Sequence, residues 1–295
     1  MLNTWLAVIS LGFMTTLVTY SQPFILKFAA INDGGDSFEA VGTLVDDKGT
    51  LATIALLGTN PSKASFKNEK GEDVPLKLLI HDSTSRLTLL ELPESYRAGL
   101  PVLKTIGEST SLAAGDAVVT DLSKKNLQSR IVSHVKRHNG KILPLTFIKF
   151  NHPEGIQKAG TPVYSTENKL VAFVFQKDEA EKTMFALPIE VLDHVKRSFE
   201  KGHSIYKPCW IGVSMDQLND APVIVGVRPD TPARKAGLLK DDVVLSIASK
   251  KVDDYTAVVN AFYYLEAGKA TSFKVLRGTE LLTLDVTPEV NPLFK

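Results

Sequence analysis

The sequence has few of the residues that carry redox or metal chemistry in proteins. Cys209 is its one cysteine, so an intrachain disulfide and a cysteine metal cluster are excluded. No H-E-x-x-H pair is present either. We therefore expect no cofactor and no metal site. Because Cys209 stands beside Trp210, we expect its thiol to pack as a small hydrophobic group.

An excess of one charge is also missing. The formal net charge is +1 and no run of Lys or Arg stands out, so we do not expect a nucleic-acid partner. The chain is 44% hydrophobic and 23% charged, which is ordinary for a globular protein. Its 295 residues suit two domains.

Charged side chains are absent from the start of the chain, MLNTWLAVISLGFMTTLVTY. Two interpretations of residues 1–22 are open. One is a secretory signal peptide cleaved before Gln22. The other is an uncleaved membrane anchor, since about 20 apolar residues can span a bilayer. Both predict export, to the periplasm, to a membrane facing it, or to an equivalent extracytoplasmic compartment.

The rest of the chain falls into a long β-rich part and a shorter mixed part. Short apolar runs alternate with turns such as Asp46–Gly49, a pattern typical of a sandwich or barrel. A helical stripe of apolar residues follows at Ile189, Leu192 and Val195. We predict a link at 23–37, a β domain at 38–190, a helix and linker at 189–208, and a compact β-rich α+β unit at 209–295.

Several segments, in order, resemble the HtrA (DegP-like) family. VGTLVDDKGTLAT is similar to that family's GSGFVID..GYILT, and SRIVSHVKR to SGIVSALGR. CWIGV is similar to GWLGV, and PDTPARKAGLLKDDVVLSI to PGSPAAKAGLKPGDVILAV. The resemblance implies a trypsin-like double β-barrel followed by a PDZ domain.

The resemblance also assigns the catalytic positions, and the expected residues are not there. The family's histidine falls on Leu56, its aspartate on Arg86 and its serine on Ala159. These side chains offer no base, no carboxylate and no nucleophile. In the oxyanion loop Gln157 and Lys158 replace a glycine and an asparagine. We therefore expect a degenerate family member, a pseudoprotease that is not an enzyme.

Other groups near these positions could in principle take over the chemistry. Thr161 and His152 are the nearest hydroxyl and imidazole in sequence, but nothing supplies an orienting third group. His81 and Asp82 are adjacent and would point to opposite faces of a strand, so we expect both to face solvent.

The PDZ unit keeps the parts that the resemblance links to peptide binding. PDZ domains take a peptide as an added strand and hold its carboxylate on backbone groups. That loop falls on Trp210, Ile211, Gly212 and Val213. Between Ala257 and Leu265 only Asn260 is strongly polar, so this helix has more apolar surface than one core face uses. We predict that Val259 and Tyr263 line the groove.

Three classes of function remain open. The first is an inactive homologue that binds a polypeptide C-terminus or an unfolded protein through its PDZ domain, as adaptor, regulator or holdase. The second is a structural subunit of a membrane-associated protein complex. The third is a serine-type endopeptidase with relocated catalytic groups. A homo-oligomer is compatible with each of them.

Overall fold

The structure is a computed structural model that describes residues 24–32, 35–98, 100, 105–122, 127–138, 141–155, 157–178, 181–217 and 221–294. The predicted signal peptide or anchor at residues 1–22 lies outside these ranges. Within them, no helix has both the length and the apolar character needed to cross a bilayer.

The first domain begins with a closed six-stranded barrel. Its strands follow the spatial order β1-β2-β3-β6-β5-β4. The β2–β3 turn is built by Asp46, whose carboxylate accepts the Lys48 and Thr50 N–H groups at 3.1 and 3.0 Å, while Gly49 takes a φ of +87°. The strands are β1 Phe24–Ala30, β2 Phe38–Leu44, β3 Thr50–Ile54, β4 Thr59–Lys67, β5 Asp73–His81 and β6 Leu87–Glu91.

The predicted link at 23–37 is wrong, because most of it is a strand of this barrel. β1 pairs with both β2 and β4 and so closes the barrel. Leu26 and Phe28 are buried in its core. The segment FILKFAA alternates apolar and other residues only weakly, which left its strand character unrecognised in the sequence.

A second closed barrel follows, with the order β10-β11-β12-β9-β8-β7. Its strands are β7 Ala117–Val119, β8 Ser129–His138, β9 Lys141–Asn151, β10 Pro162–Ser165, β11 Leu170–Asp178 and β12 Thr183–Pro188. The helix α1, Glu190–Glu200, then lies against the first barrel and buries the predicted stripe. One hydrophobic core contains Ile54 and Leu87 of the first barrel and Phe173 of the second, so the two barrels pack on each other.

The last part of the chain is the compact α+β unit predicted from Cys209 onward. Its core is formed by buried apolar residues such as Val258 and Phe273. The four-stranded sheet has the order β17-β16-β18-β19, and β14 pairs with β15. The elements are β13 Cys209–Trp210, β14 Val213–Met215, β15 Ile224–Val227, α2 Pro232–Lys235, β16 Val243–Ile247, β17 Lys250–Lys251, α3 Tyr255–Tyr263, β18 Thr271–Arg277, β19 Glu280–Val286 and β20 Glu289–Val290.

Candidate functional site

Of the three positions that the resemblance assigns to a triad, Leu56 and Arg86 lie beside each other, and Ala159 is part of the hydrophobic core against which Leu56 packs. Leu56 packs against the hydrophobic core that includes Ala159. The Ala55 N–H donates to the Arg86 carbonyl at 3.0 Å, which places Arg86 beside Leu56. Arg86 has a φ of +63°, a strained value for a residue with a long side chain. The identity of these positions with a triad stays a prediction from the resemblance.

The loop before β10, which the resemblance assigns to an oxyanion hole, has a close backbone contact at Gly160. Gly160 has a φ of +81°, and a Cβ there would lie 2.1 Å from the Val41 carbonyl oxygen, so only glycine fits. Within the described residues the Ala159 N–H has no hydrogen-bond acceptor. The Gln157 N–H instead donates to Met184 Sδ at 3.2 Å. The Lys158 N–H likewise has no acceptor among the described residues, so the loop has two adjacent unpaired backbone donors.

The Thr161 hydroxyl and the His152 imidazole, considered as a pair from the sequence, are not hydrogen-bonded to each other. The Thr161 hydroxyl donates to the Lys158 carbonyl at 2.7 Å. His152 Nε2 lies 2.8 Å from the Thr120 hydroxyl instead. The ammonium of Lys158 forms an exposed ion pair with Glu39.

The expectation that His81 and Asp82 face solvent is wrong. His81 is half-buried and its Nδ1 lies 2.9 Å from the Thr88 hydroxyl. Asp82 is fully buried, and it accepts the Thr84 N–H at 2.8 Å and both the N–H and the hydroxyl of Ser85. The Asp-Ser-Thr-Ser sequence signals this turn, but a local turn signal gives no information on burial.

Helix α3 of the C-terminal unit docks on the barrels and contacts the buried Asp82. The Tyr263 hydroxyl donates to Asp82 Oδ2 at 2.7 Å, and burial holds the pKa of this phenol well above its usual value, so it stays a donor. The Thr146 N–H of β9 donates to the Asn260 side chain at 2.9 Å. The prediction that Tyr263 lines a peptide groove is therefore wrong, because its side chain is inserted into the barrel domain.

Aromatic side chains complete this domain junction around His194 of α1. His194 Nε2 lies 2.7 Å from the Tyr206 hydroxyl, which in turn donates to the Tyr263 carbonyl at 2.9 Å. Burial, assisted by the nearby Arg197, lowers the pKa of His194 to about 4. The imidazole is consequently neutral at pH 7, and its Nδ1 has no partner among the described residues.

The predicted carboxylate loop has an unusual backbone. Gly212 has a φ of +85°, and a Cβ there would lie 2.4 Å from Thr231 Cβ. The Arg228 N–H donates to the Gly212 carbonyl at 2.9 Å. Over the part of the chain that the structure covers, the N–H groups of Ile211 and Gly212 have no hydrogen-bond acceptor. Two adjacent free donors form the kind of concavity that holds an anion.

The other residues predicted for this site lie around the loop. Val213 opens β14, and Trp210 is half-buried with the Arg228 guanidinium 5.9 Å from its ring centre. Val259 is half-buried. Cys209 packs against the PDZ core, and burial raises the pKa of its thiol to about 11, in keeping with the hydrophobic role predicted for it.

Residues 209–287 match a family model described as a PDZ domain. Serine protease HTRA1 of Xenopus tropicalis is 25% identical over 280 residues, covering 84% of this chain and 59% of that protein. A probable periplasmic serine endoprotease, DegP-like, of Halomonas elongata is 23% identical, covering 83% of this chain and 55% of the relative. The chain thus spans somewhat over half the length of these relatives.

Solved structures show the same fold. The HtrA-type protease AlgW with tripeptide has a TM-score of 0.66 and 19% identity, covering 92% of this chain and 94% of that chain. A serine endoprotease from Yersinia pestis has a TM-score of 0.59 and 18% identity, covering 92% of this chain and 95% of that one. These likenesses confirm the trypsin-like double barrel followed by a PDZ domain.

The names of the relatives contradict the expectation that the chain is not an enzyme. These relatives are named serine proteases or serine endoproteases, and they match most of this chain. That expectation rested only on the residue types at three aligned positions, so it is withdrawn. The resemblance itself is confirmed: most of the chain is similar to HtrA-type serine proteases, and it has a protease-type double barrel and a C-terminal PDZ domain.

Proposed function

We propose that this HtrA-like protein binds the C-terminal end of an extended or unfolded polypeptide through its PDZ domain, as an adaptor, regulator or holdase in an extracytoplasmic compartment. The observation that carries the proposal is the pair of free N–H groups at Ile211 and Gly212. A terminal carboxylate would satisfy both donors. Leaving backbone donors unpaired beside Ile211, a buried residue, is otherwise costly.

A strand edge suited to such a peptide begins at the same loop. β14 pairs with β15 on one side, and no strand of the described residues pairs with its other side. The Arg228 N–H bonds to Gly212, and polar groups alternate along an antiparallel ladder. The backbone N–H and C=O of Ser214 therefore face β15, whereas the N–H and C=O of Val213 face the open edge. A peptide can add there as a third strand.

One flank of α3 is suited to form the other wall. Val258 faces the PDZ core and Asn260 faces the barrel, so Val259 between them lies about 100° from each around the helix. Tyr255 and Phe262, four residues before and three after Val259, share this half-buried flank. Its apolar side chains favour a peptide with an apolar terminal residue. AlgW, solved with a tripeptide, provides the structural parallel.

The test is a titration of the full chain, in nonionic detergent, with fluorescent peptides that end in an apolar residue. We expect a dissociation constant on the order of micromolar, because a short flexible peptide loses conformational freedom on docking. Each peptide is paired with its C-terminal amide, which lacks the charge that the two free N–H groups would hold. The amide should bind at least about tenfold more weakly, and equal binding of both forms would refute the proposal.

A variant separates strand addition from other modes of binding. Val213→Pro removes an N–H that faces the open edge and so breaks no hydrogen bond within the domain. It should abolish binding while the domain still unfolds cooperatively, at a temperature lowered only by the lost packing of Val213 against the core. Gly212→Val is a poorer choice, because its Cβ would collide with Thr231 and disturb the loop itself.

A second candidate function is a structural subunit of a membrane-associated protein complex. The docking of α3 favours it, since Tyr263 and Asn260 bond the PDZ unit to the barrels. Absence of binding by every peptide in the titration would favour this candidate over the first.

A further inference from the structure

We propose that Arg228 makes the groove select peptides whose penultimate residue is acidic. This inference rests on the proposed peptide binding and names the chemistry of the ligand. The Arg228 side chain is exposed, and no carboxylate of the described residues lies within ion-pair distance of it. Its charge is therefore available to a ligand.

Strand geometry places Arg228 on the outer face of the β14–β15 pair. Val213 and Met215 turn inward and pack against the PDZ core, so Ser214 between them points outward. Ser214 is opposite Gly226 in β15, which puts Gly226 on the outer face too. Two residues further along, Arg228 has the same orientation.

A peptide added to β14 follows the same alternation. If its terminal side chain enters the apolar groove, its penultimate side chain must point outward. That side chain then stands over the outer face, near the Gly212 loop to which the Arg228 backbone is bonded at 2.9 Å. Gly226 has no side chain to obstruct the approach, since even an added Cβ there would meet only Ser214 Cβ, at 3.9 Å.

The guanidinium is also held in position before any ligand arrives. It lies 5.9 Å from the centre of the Trp210 ring, a cation–π distance. Trp210 immediately precedes the two residues with free N–H groups. An ordered cation loses less side-chain freedom on pairing, so an exposed pair here should contribute near the upper end of its usual range.

The experiment compares three peptides that differ only at the penultimate residue, which is Glu, Gln or Lys, on the full chain in nonionic detergent. We expect Glu to bind about threefold to fivefold more tightly than Gln, and Lys to bind most weakly. The ratio of the Gln to the Glu dissociation constant should fall towards one in 0.5 M salt, where the electrostatic screening length is only about 4 Å. In Arg228→Gln the three peptides should bind alike.

Arg234→Gln is the matched control, because Arg234 is an exposed arginine of α2 in the same domain. It should keep the preference for Glu. Equal binding of Glu and Gln peptides by the unchanged protein would overturn the inference and leave peptide binding intact. The inference would also be overturned if Arg228→Gln and Arg234→Gln lost the preference for Glu equally. The same holds if Arg228→Gln bound all three peptides more weakly with the ratio of Gln to Glu dissociation constants unchanged. Failure of all three peptides to bind would instead refute the proposed function and this inference with it.

Discussion

The hydrogen bond between Tyr263 and Asp82 is the clearest single link between the PDZ unit and the barrels. Tyr263→Phe removes the hydroxyl that donates to Asp82 Oδ2 at 2.7 Å and keeps the ring in place. Because Asp82 is fully buried, no water from bulk solvent replaces the lost donor. We therefore expect the variant to fold and its domain junction to open more often.

The size of the effect follows from the surroundings of the carboxylate. A hydrogen bond to a charged partner contributes about 1.5–3 kcal/mol. Asp82 keeps the Thr84 N–H and both donors of Ser85 after the change, so we take about 2 kcal/mol. Since 1.4 kcal/mol is a factor of ten, the opened fraction of the junction should rise about 25-fold.

Hydrogen exchange with mass spectrometry measures this opening directly. The Thr146 N–H bonds across the junction to Asn260, so peptides that cover β9 report on docking. Peptides that cover β18 and β19 are the internal reference, because these strands belong to the PDZ core alone. Exchange should accelerate in β9 and in the turn after Asp82, and not in β18 and β19.

Tyr264→Phe provides the control for this experiment. Tyr264 is the next residue, its ring packs edge-on against Tyr263, and its hydroxyl has no hydrogen bond to any residue that the structure describes. It should change exchange by less than about twofold. If both variants behave alike, or if Tyr263→Phe leaves β9 protected, the carboxylate link does not hold the domains together.

Two further predictions concern stability. Burial lowers the pKa of His194 from 6.5 to about 4, so the unfolded chain binds more protons than the folded one between these pH values. The contribution of His194 to the free energy of unfolding, present in full above pH 6.5, should therefore fall by about 3 kcal/mol as the pH drops to 4. In His194→Gln, denaturant unfolding across that window should show a smaller loss, and an unchanged loss would exclude His194 as the cause. Arg277→Gln strips the fully buried Asp242 of a bidentate partner at 2.7 and 2.8 Å and should cost about 3 kcal/mol in thermal unfolding, whereas the exposed Lys274→Gln should cost less than about 0.5 kcal/mol.

Local sequence signals were sufficient for much of the fold. The Asp46–Gly49 turn needs only an Asx carboxylate and a glycine with positive φ, and both are visible in the sequence. The stripe at Ile189, Leu192 and Val195 marks a helix face by its period, and the structure buries all three residues. The resemblance added the order of the domains, which period alone does not specify.

The site was only partly visible in the sequence. The backbone at Gly212 follows from a single glycine and could be predicted as a place of close approach. The free N–H groups beside it depend on where every neighbouring acceptor lies in three dimensions. The pairing of Arg228 with Trp210 joins a residue of β13 to the residue that follows β15, so no spacing along the chain signals it.

The helix α3 shows most clearly what the tertiary structure decided. Its sequence determined that it has apolar surface beyond one core face, and we expected a peptide to cover that surface. The structure covers part of it with the barrels of the same chain: Tyr263 bonds to Asp82 of the first barrel and Asn260 to Thr146 of the second. Periodicity specifies which faces of an element are apolar, but not which partner buries them, because that depends on long-range packing. Asp82 shows the same limit, since its turn is local but one of its buried hydrogen-bond partners is a residue 181 positions away.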